Sequence, residues 1–118
     1  MKKVYYLSTC STSKRIISEF NLAEEGFEFQ DIKTEAITER QLEEMKSLAG
    51  SYEAVFSRIA RKYKELGLKE KVLTENDYRD YILNEYTFLK RPVIIINELI
   101  FVGSGKPNLA KLKVHLAS

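Results

Sequence analysis

The chain has 118 residues, a formal net charge of +2, 44% hydrophobic residues and 31% charged residues. That is the size of one domain with enough apolar material for a core. It excludes a membrane-spanning run, a strongly basic nucleic-acid surface and, with one cysteine and one histidine (His115), an intrachain disulfide or a classical metal cluster.

The N-terminal "MKKVYYLSTC" lacks a long apolar segment with a small-residue cleavage site, so the expected location is the cytoplasm. Val4–Leu7 is short, apolar and aromatic, and reads as a strand. Ser11 or Thr12 can cap the helix that follows, which places Ile16, Ile17, Phe20 and Ala23 on roughly one face and stops near Gly26. "FEFQDI" alternates as a half-buried strand does. Strand, helix, strand in this order predicts a βαβ opening with parallel pairing.

A second helix follows in "TEAITERQLEEMKSLAG", where Thr38 and Gln41 have capping-box spacing and Leu42, Met45 and Leu48 form a stripe up to Gly50. "SYEAVFSRIARKYKELGLKEKV" predicts one or two more helices, with Phe56, Ile59, Tyr63 and Leu66 as the buried stripe and Gly67 as the stop. Thr74 and Asp77 cap another helix, with Tyr78, Tyr81, Ile82 and Tyr86 as its apolar bulk. The period then changes. Val93–Ile96 and Leu99–Val102 predict a hairpin around Asn97-Glu98, the first strand apolar throughout and so central in its sheet. Gly103–Gly105 is loop, and Leu109, Leu112 and Leu116 stripe a terminal helix. A small mixed sheet with helices on both faces would bury all these stripes.

Cys10 stands between the first strand and the first helix. One reading is a small buried hydrophobe beside a Ser/Thr capping cluster. The other is a thiol activated by unpaired helix N–H groups and the positive end of the helix dipole. Ser11, Thr12 and Ser13 add hydroxyls and backbone donors suited to an oxyanion, and Lys14 can add charge on the same side. "FSRIARKYK" carries Arg58, Arg61, Lys62 and Lys64, with Arg58 and Arg61 on one helical face. It is either a solvated helix face or a guanidinium clamp for an anion. Pro92 after Arg91 either ends the preceding segment and starts the strand or forms a cis peptide.

Together "CSTSKR", "FQDIKTEAITERQLEE", "YKELGLKEKVLTENDYRDYI", "FLKRPVIII" and "LIFVGSG" resemble, in order and spacing, the arsenate reductase (ArsC)/Spx family. The resemblance covers nearly the whole chain. It implies an α/β, thioredoxin-like mixed four-stranded sheet flanked by helices. It also implies one domain over residues 1–118, with an inserted helical segment over about 35–88. Cys10 falls on the nucleophile that attacks the arsenic of arsenate in the reductase branch. Ser11, Thr12, Ser13 and Lys14 fall on the anion-binding turn. Arg58 falls near the first oxyanion arginine, with Arg61 in reserve; Arg91 matches the second, and Pro92 the cis proline facing the cysteine.

Two departures matter. The stretch "FVGSG" offers no third arginine, Lys106 lying beyond it, and Ser13 stands where the regulatory members often carry a second cysteine. Turnover then requires an external thiol, such as glutathione acting through glutaredoxin, with no bound cofactor and no metal. The alternative implied by the resemblance is an Spx-like regulator that binds RNA polymerase without catalysis. Neither reading calls for direct nucleic-acid or membrane binding, and the resemblance suggests a monomer.

Overall fold

The structure, a computed structural model, describes residues 1–117. The chain divides into two compact units, one formed by Met1–Glu35 with the C-terminal part from Arg91 onward, the other by Ala36–Lys90.

The first unit holds a four-stranded mixed sheet: β1 (Lys2–Tyr6), β2 (Glu28–Asp31), β3 (Val93–Ile96) and β4 (Leu99–Val102). Their order is β2-β1-β3-β4. β1 runs parallel to β2, with Val4 opposite Phe29, and antiparallel to β3, with Val4 opposite Ile94. β3 and β4 form the expected antiparallel hairpin, turned by Asn97 at a φ of 55°. Asparagine tolerates this left-handed conformation because its short polar side chain can bond locally. β3 is buried at every position, as its unbroken apolar sequence implies. β1 begins earlier than its apolar run suggested, because Lys2 and Lys3 pair with Ile96 and Ile95. Leu7 instead leaves the strand, and its carbonyl accepts the Cys10 N–H at 2.9 Å.

Helix α1 (Ser11–Glu19) makes the crossover between β1 and β2. It is shorter than the apolar spacing suggested. Asn21 turns left-handed after it, and Leu22–Glu24 forms a separate 3-10 turn. Leu22 is therefore the buried residue and Ala23 is exposed. Ile16, Leu22, Val4, Ile94, Ile96, Phe101 and Leu112 share one core with Phe27, and Ile17, Phe20, Leu109 and Leu116 pack against it. Leu112 comes from the last helix of this unit, Lys106–Ala117. Each such fully buried side chain contributes about 2 kcal/mol of apolar burial.

The second unit is helical. Helix α2 (Glu39–Ala49) opens with the Thr38–Gln41 capping box: the Thr38 hydroxyl accepts from the Gln41 N–H at 3.1 Å, and the Gln41 side chain accepts from the Thr38 N–H at 3.0 Å. Gly50, at a φ of 102°, closes it in a conformation that favours glycine. Helix α3 is only Arg61–Glu65 and helix α4 is Glu75–Asn84, capped by the reciprocal Thr74–Asp77 pair; the last helix of the chain, Lys106–Ala117, is α5.

The predicted stripe of Phe56, Ile59, Tyr63 and Leu66 does not form. Phe56 lies outside any helix, in an isolated bridge with Leu89, and stacks on Phe88 with ring centroids 5.1 Å apart. Tyr78 and Tyr63 complete an aromatic cluster around it. Ile59 is 94% exposed and Leu66 also faces solvent. Aromatic packing decides this segment, since a short helix interrupted at Gly67 cannot sustain a continuous buried face. Among the described residues no helix is long and apolar enough to cross a membrane.

Candidate active site

The site is assembled in the first unit by two junctions, the β1–α1 turn and the residues entering β3. At the first junction Cys10 is the N-cap of α1, with extended dihedrals (φ −96°, ψ 109°). Its carbonyl accepts the first intrahelical bond, from the Lys14 N–H at 3.2 Å. An N-cap side chain ordinarily offers an oxygen to the N–H two or three residues on. Cys10 offers sulfur, and no cap bond of regular geometry is present. The first turn of α1 carries no acidic residue, so its positive end is left to the cysteine.

Ser13 is fully buried, while Cys10 is half-buried and Ser11 and Lys14 are exposed. No nitrogen or oxygen among the described residues satisfies the Ser13 hydroxyl. It faces the Cys10 sulfur, in a contact that falls short of a regular hydrogen bond but favours negative charge there.

At the second junction the peptide between Arg91 and Pro92 is cis, the rarer of the two conformations open from the sequence. The Pro92 carbonyl accepts from the Gly103 N–H at 2.9 Å, continuing the β3–β4 ladder, and Pro92 itself is buried. The Arg91 guanidinium is near enough to Cys10 to favour negative charge on its sulfur. Burial pushes the thiol up from its ordinary range. The Ser13 N–H, the Ser13 hydroxyl and the Arg91 guanidinium together outweigh burial, and the net effect is a lowered pKa. The thiolate is what these groups stabilise, and the thiolate is the nucleophilic form.

The structure thus brings Cys10, Ser13 and Arg91 together, with Ser11, Thr12 and Lys14 on the same first turn of α1 and Pro92 next to Arg91. Arg58 belongs to the second unit. It lies in a turn outside any helix, so it shares no helical face with Arg61, which opens α3. Its guanidinium donates to the Glu53 carboxylate and, at 3.0 Å, to the Tyr78 hydroxyl, and lies 5.6 Å over the Tyr78 ring. Glu53 is the main reason its pKa is raised. Sequence reading missed this latch, because Glu53 and Arg58 have no regular helical spacing. The loop after β4 is Gly103-Ser104-Gly105, held by the Asn108 amide donating to the Gly103 carbonyl at 2.9 Å.

A four-stranded mixed sheet flanked by helices, with a cysteine at the N-cap of the first helix and a cis proline entering a central strand, defines a thioredoxin-like fold. The chain belongs to the ArsC family, whose model matches residues 5–111. Solved structures agree. An arsenate reductase from Vibrio cholerae is 16% identical with a TM-score of 0.77, covering 96% of each chain. The SACOL0876 protein of Staphylococcus aureus is 24% identical with a TM-score of 0.73, covering 94% of this chain and 97% of that one. An arsenate reductase related protein from Brucella melitensis is 19% identical with a TM-score of 0.71, covering 93% and 92%. At these identities the likeness is one of fold. A comparison with curated proteins finds no match.

Proposed function

We propose that this chain is a thiol-dependent reductase in which the Cys10 thiolate attacks an electrophilic centre and an external thiol completes the cycle. The observation that carries this reading is the pairing of Ser13 and Arg91 with the Cys10 sulfur, which favours thiolate over thiol. Arsenate is the substrate to test first, given the family. Cys10 sulfur displaces an oxygen from arsenic, which leaves as water after protonation, and forms a sulfur–arsenic bond. A thiol such as glutathione then attacks the Cys10 sulfur. Arsenic takes the bonding pair and departs as arsenite, reduced by two electrons, and a Cys10–glutathione disulfide remains. A second thiol, free or presented by glutaredoxin, releases Cys10 and becomes the oxidised disulfide.

The N–H groups of Ser11, Thr12 and Ser13 are suited to the oxyanion, and Arg91 to the charge that develops as oxygen leaves. Lys14, exposed on the same first turn of α1, adds a cation. Pro92 shapes the wall beside Arg91. The chain supplies no second cysteine, so the reductant comes from outside. A reducing, glutathione-rich compartment such as the cytoplasm suits this requirement. The test is glutathione- and glutaredoxin-coupled arsenate reduction by the wild type and by Cys10→Ser. Turnover lost in the variant supports the reading, and turnover that survives the substitution sinks it. Capture of RNA polymerase by an inactive wild type would favour the regulator instead.

A further inference from the structure

The two edges of the sheet differ. β2 and β4 are the outer strands of the order β2-β1-β3-β4. β2 carries Glu28 and Asp31, with Glu28 paired to Lys3, and charge on an edge strand discourages another strand from adding. β4 reads "LIFV", with no charge and no proline. Its free hydrogen-bonding groups follow from the register. The Gly103 N–H donates to the Pro92 carbonyl, so Phe101 with Ile94 and Leu99 with Ile96 are the other hydrogen-bonded pairs of the ladder. Ile100 and Val102 lie in the alternate pairs, and their N–H and C=O groups point away from β3, to the open edge.

Beside that edge lies an open apolar groove. Leu99 and Phe101, on one face of β4, form one wall, and Ala110, Lys111, Val114 and His115 of α5 form the other. Its volume is about 520 Å³, which falls in the range of concave binding sites. Leu99 is 47% and Val114 72% exposed, and His115 packs against Phe101 with ring centroids 5.9 Å apart. The charge beside the groove has one sign. α5 carries Lys106, Lys111, Lys113 and His115, and from Leu99 to Ala117 there is no Asp or Glu.

We propose that β4 and α5 form a docking site for an extended segment of another protein, apolar at its centre and acidic at its ends, which adds to the sheet beside β4. The backbone of the segment pairs with the N–H and C=O groups of Ile100 and Val102. Its alternate side chains enter the groove against Leu99, Phe101 and Val114, and its flanking carboxylates meet Lys111. Charge decides against a second copy of this chain as the occupant. Pairing β4 with its own copy about a two-fold axis would set α5 beside α5 on one face of the joined sheet, and each basic helix would meet like charge. The inference is independent of the chemistry at Cys10.

The test titrates the whole chain into short, capped, fluorescein-labelled peptides and reads anisotropy. The first peptide has a Val-Thr-Val centre between glutamates. The second has lysines in place of the glutamates, and the third is the first with the backbone nitrogens of its centre methylated. The glutamate peptide is expected to bind saturably, and the lysine peptide about tenfold more weakly, a gap that closes at high salt. Methylation is expected to weaken binding by about 30-fold, the scale of two lost hydrogen bonds. Ile100→Pro removes an edge donor without touching the ladder to β3, and should weaken the glutamate peptide about fivefold. Lys111→Glu should weaken it by about fivefold as well. No saturable binding of the glutamate peptide, or equal binding of the lysine peptide, overturns the proposal. Equal binding of the methylated peptide also overturns it, because the groove would then hold apolar groups without strand pairing. So does a dimer in sedimentation that Ile100→Pro dissolves, which would assign the edge to a second copy. If Ile100→Pro does not fold, the methylated peptide and Lys111→Glu decide.

Discussion

The Arg91 guanidinium favours the thiolate of Cys10, so a residue entering β3 acts on the charge of a residue capping α1. The sheet makes this meeting possible, because β1 and β3 are neighbours and both junctions lie where those strands meet the loops. Arg91→Ala is expected to raise the thiol pKa and to lower arsenate turnover by about 100-fold, the scale for losing one donor at a developing anion. Arg91→Lys should recover only part of this, since an ammonium lacks the planar fork of guanidinium. Steady-state assays across pH check both, and unchanged turnover in Arg91→Ala would remove Arg91 from the mechanism.

Ser13 gives an opposite pair of effects. Its buried hydroxyl has no regular hydrogen bond, so Ser13→Ala should leave the fold as stable or more stable, by up to about 2 kcal/mol. The same substitution removes one of the groups that favour the thiolate, so the Cys10 thiol pKa should rise. Thermal melts at a pH where the thiol is neutral, set beside alkylation rates, check this. A clear loss of stability would show that the hydroxyl has a structural partner.

The pH dependence of stability has a definite sign. The folded-state pKa of Cys10 is lowered, so its thiolate adds stability that is complete above the unfolded thiol value. That contribution is lost as pH falls through the folded value. Denaturant titrations of wild type and Cys10→Ser should therefore diverge in favour of the wild type as pH rises between those two values. A gap that stays constant, or closes, would contradict the assigned direction.

Glu53 occupies Arg58 in the second unit. The pair is half exposed, so Glu53→Ala should change stability by less than about 1 kcal/mol. Denaturant titrations of wild type and Glu53→Ala check this, and a clearly larger loss would show that the pair is shielded from solvent.

Much of the fold was legible because local signals and tertiary structure agree. The strand in "FEFQDI", the unbroken "VIII" and the reciprocal spacings of Thr38–Gln41 and Thr74–Asp77 all correspond to what forms, although the burial of that strand departs from the expected alternation, with Phe29 exposed and Gln30 buried. Cys10 at the start of α1 was legible for the same reason: a strand ended and a helical period began there. The segment around Phe56 was not legible. Its helical spacing is accidental, and its burial is set by Leu89, Phe88 and Tyr78, which are distant in sequence. The resemblance carried Arg91 to the site, but the residues themselves did not show that Ser13 would be buried and unsatisfied. That property belongs to the tertiary setting of the first turn of α1, which no residue pattern announces.

The central claim is that Cys10 is held as a thiolate at an anion-binding turn. Its most direct measure is the rate of Cys10 alkylation against pH, with and without arsenate. The account predicts a titration midpoint below that of an ordinary thiol, with arsenate slowing alkylation in proportion to its occupancy. A midpoint at the ordinary thiol value, together with no protection by arsenate, would contradict it.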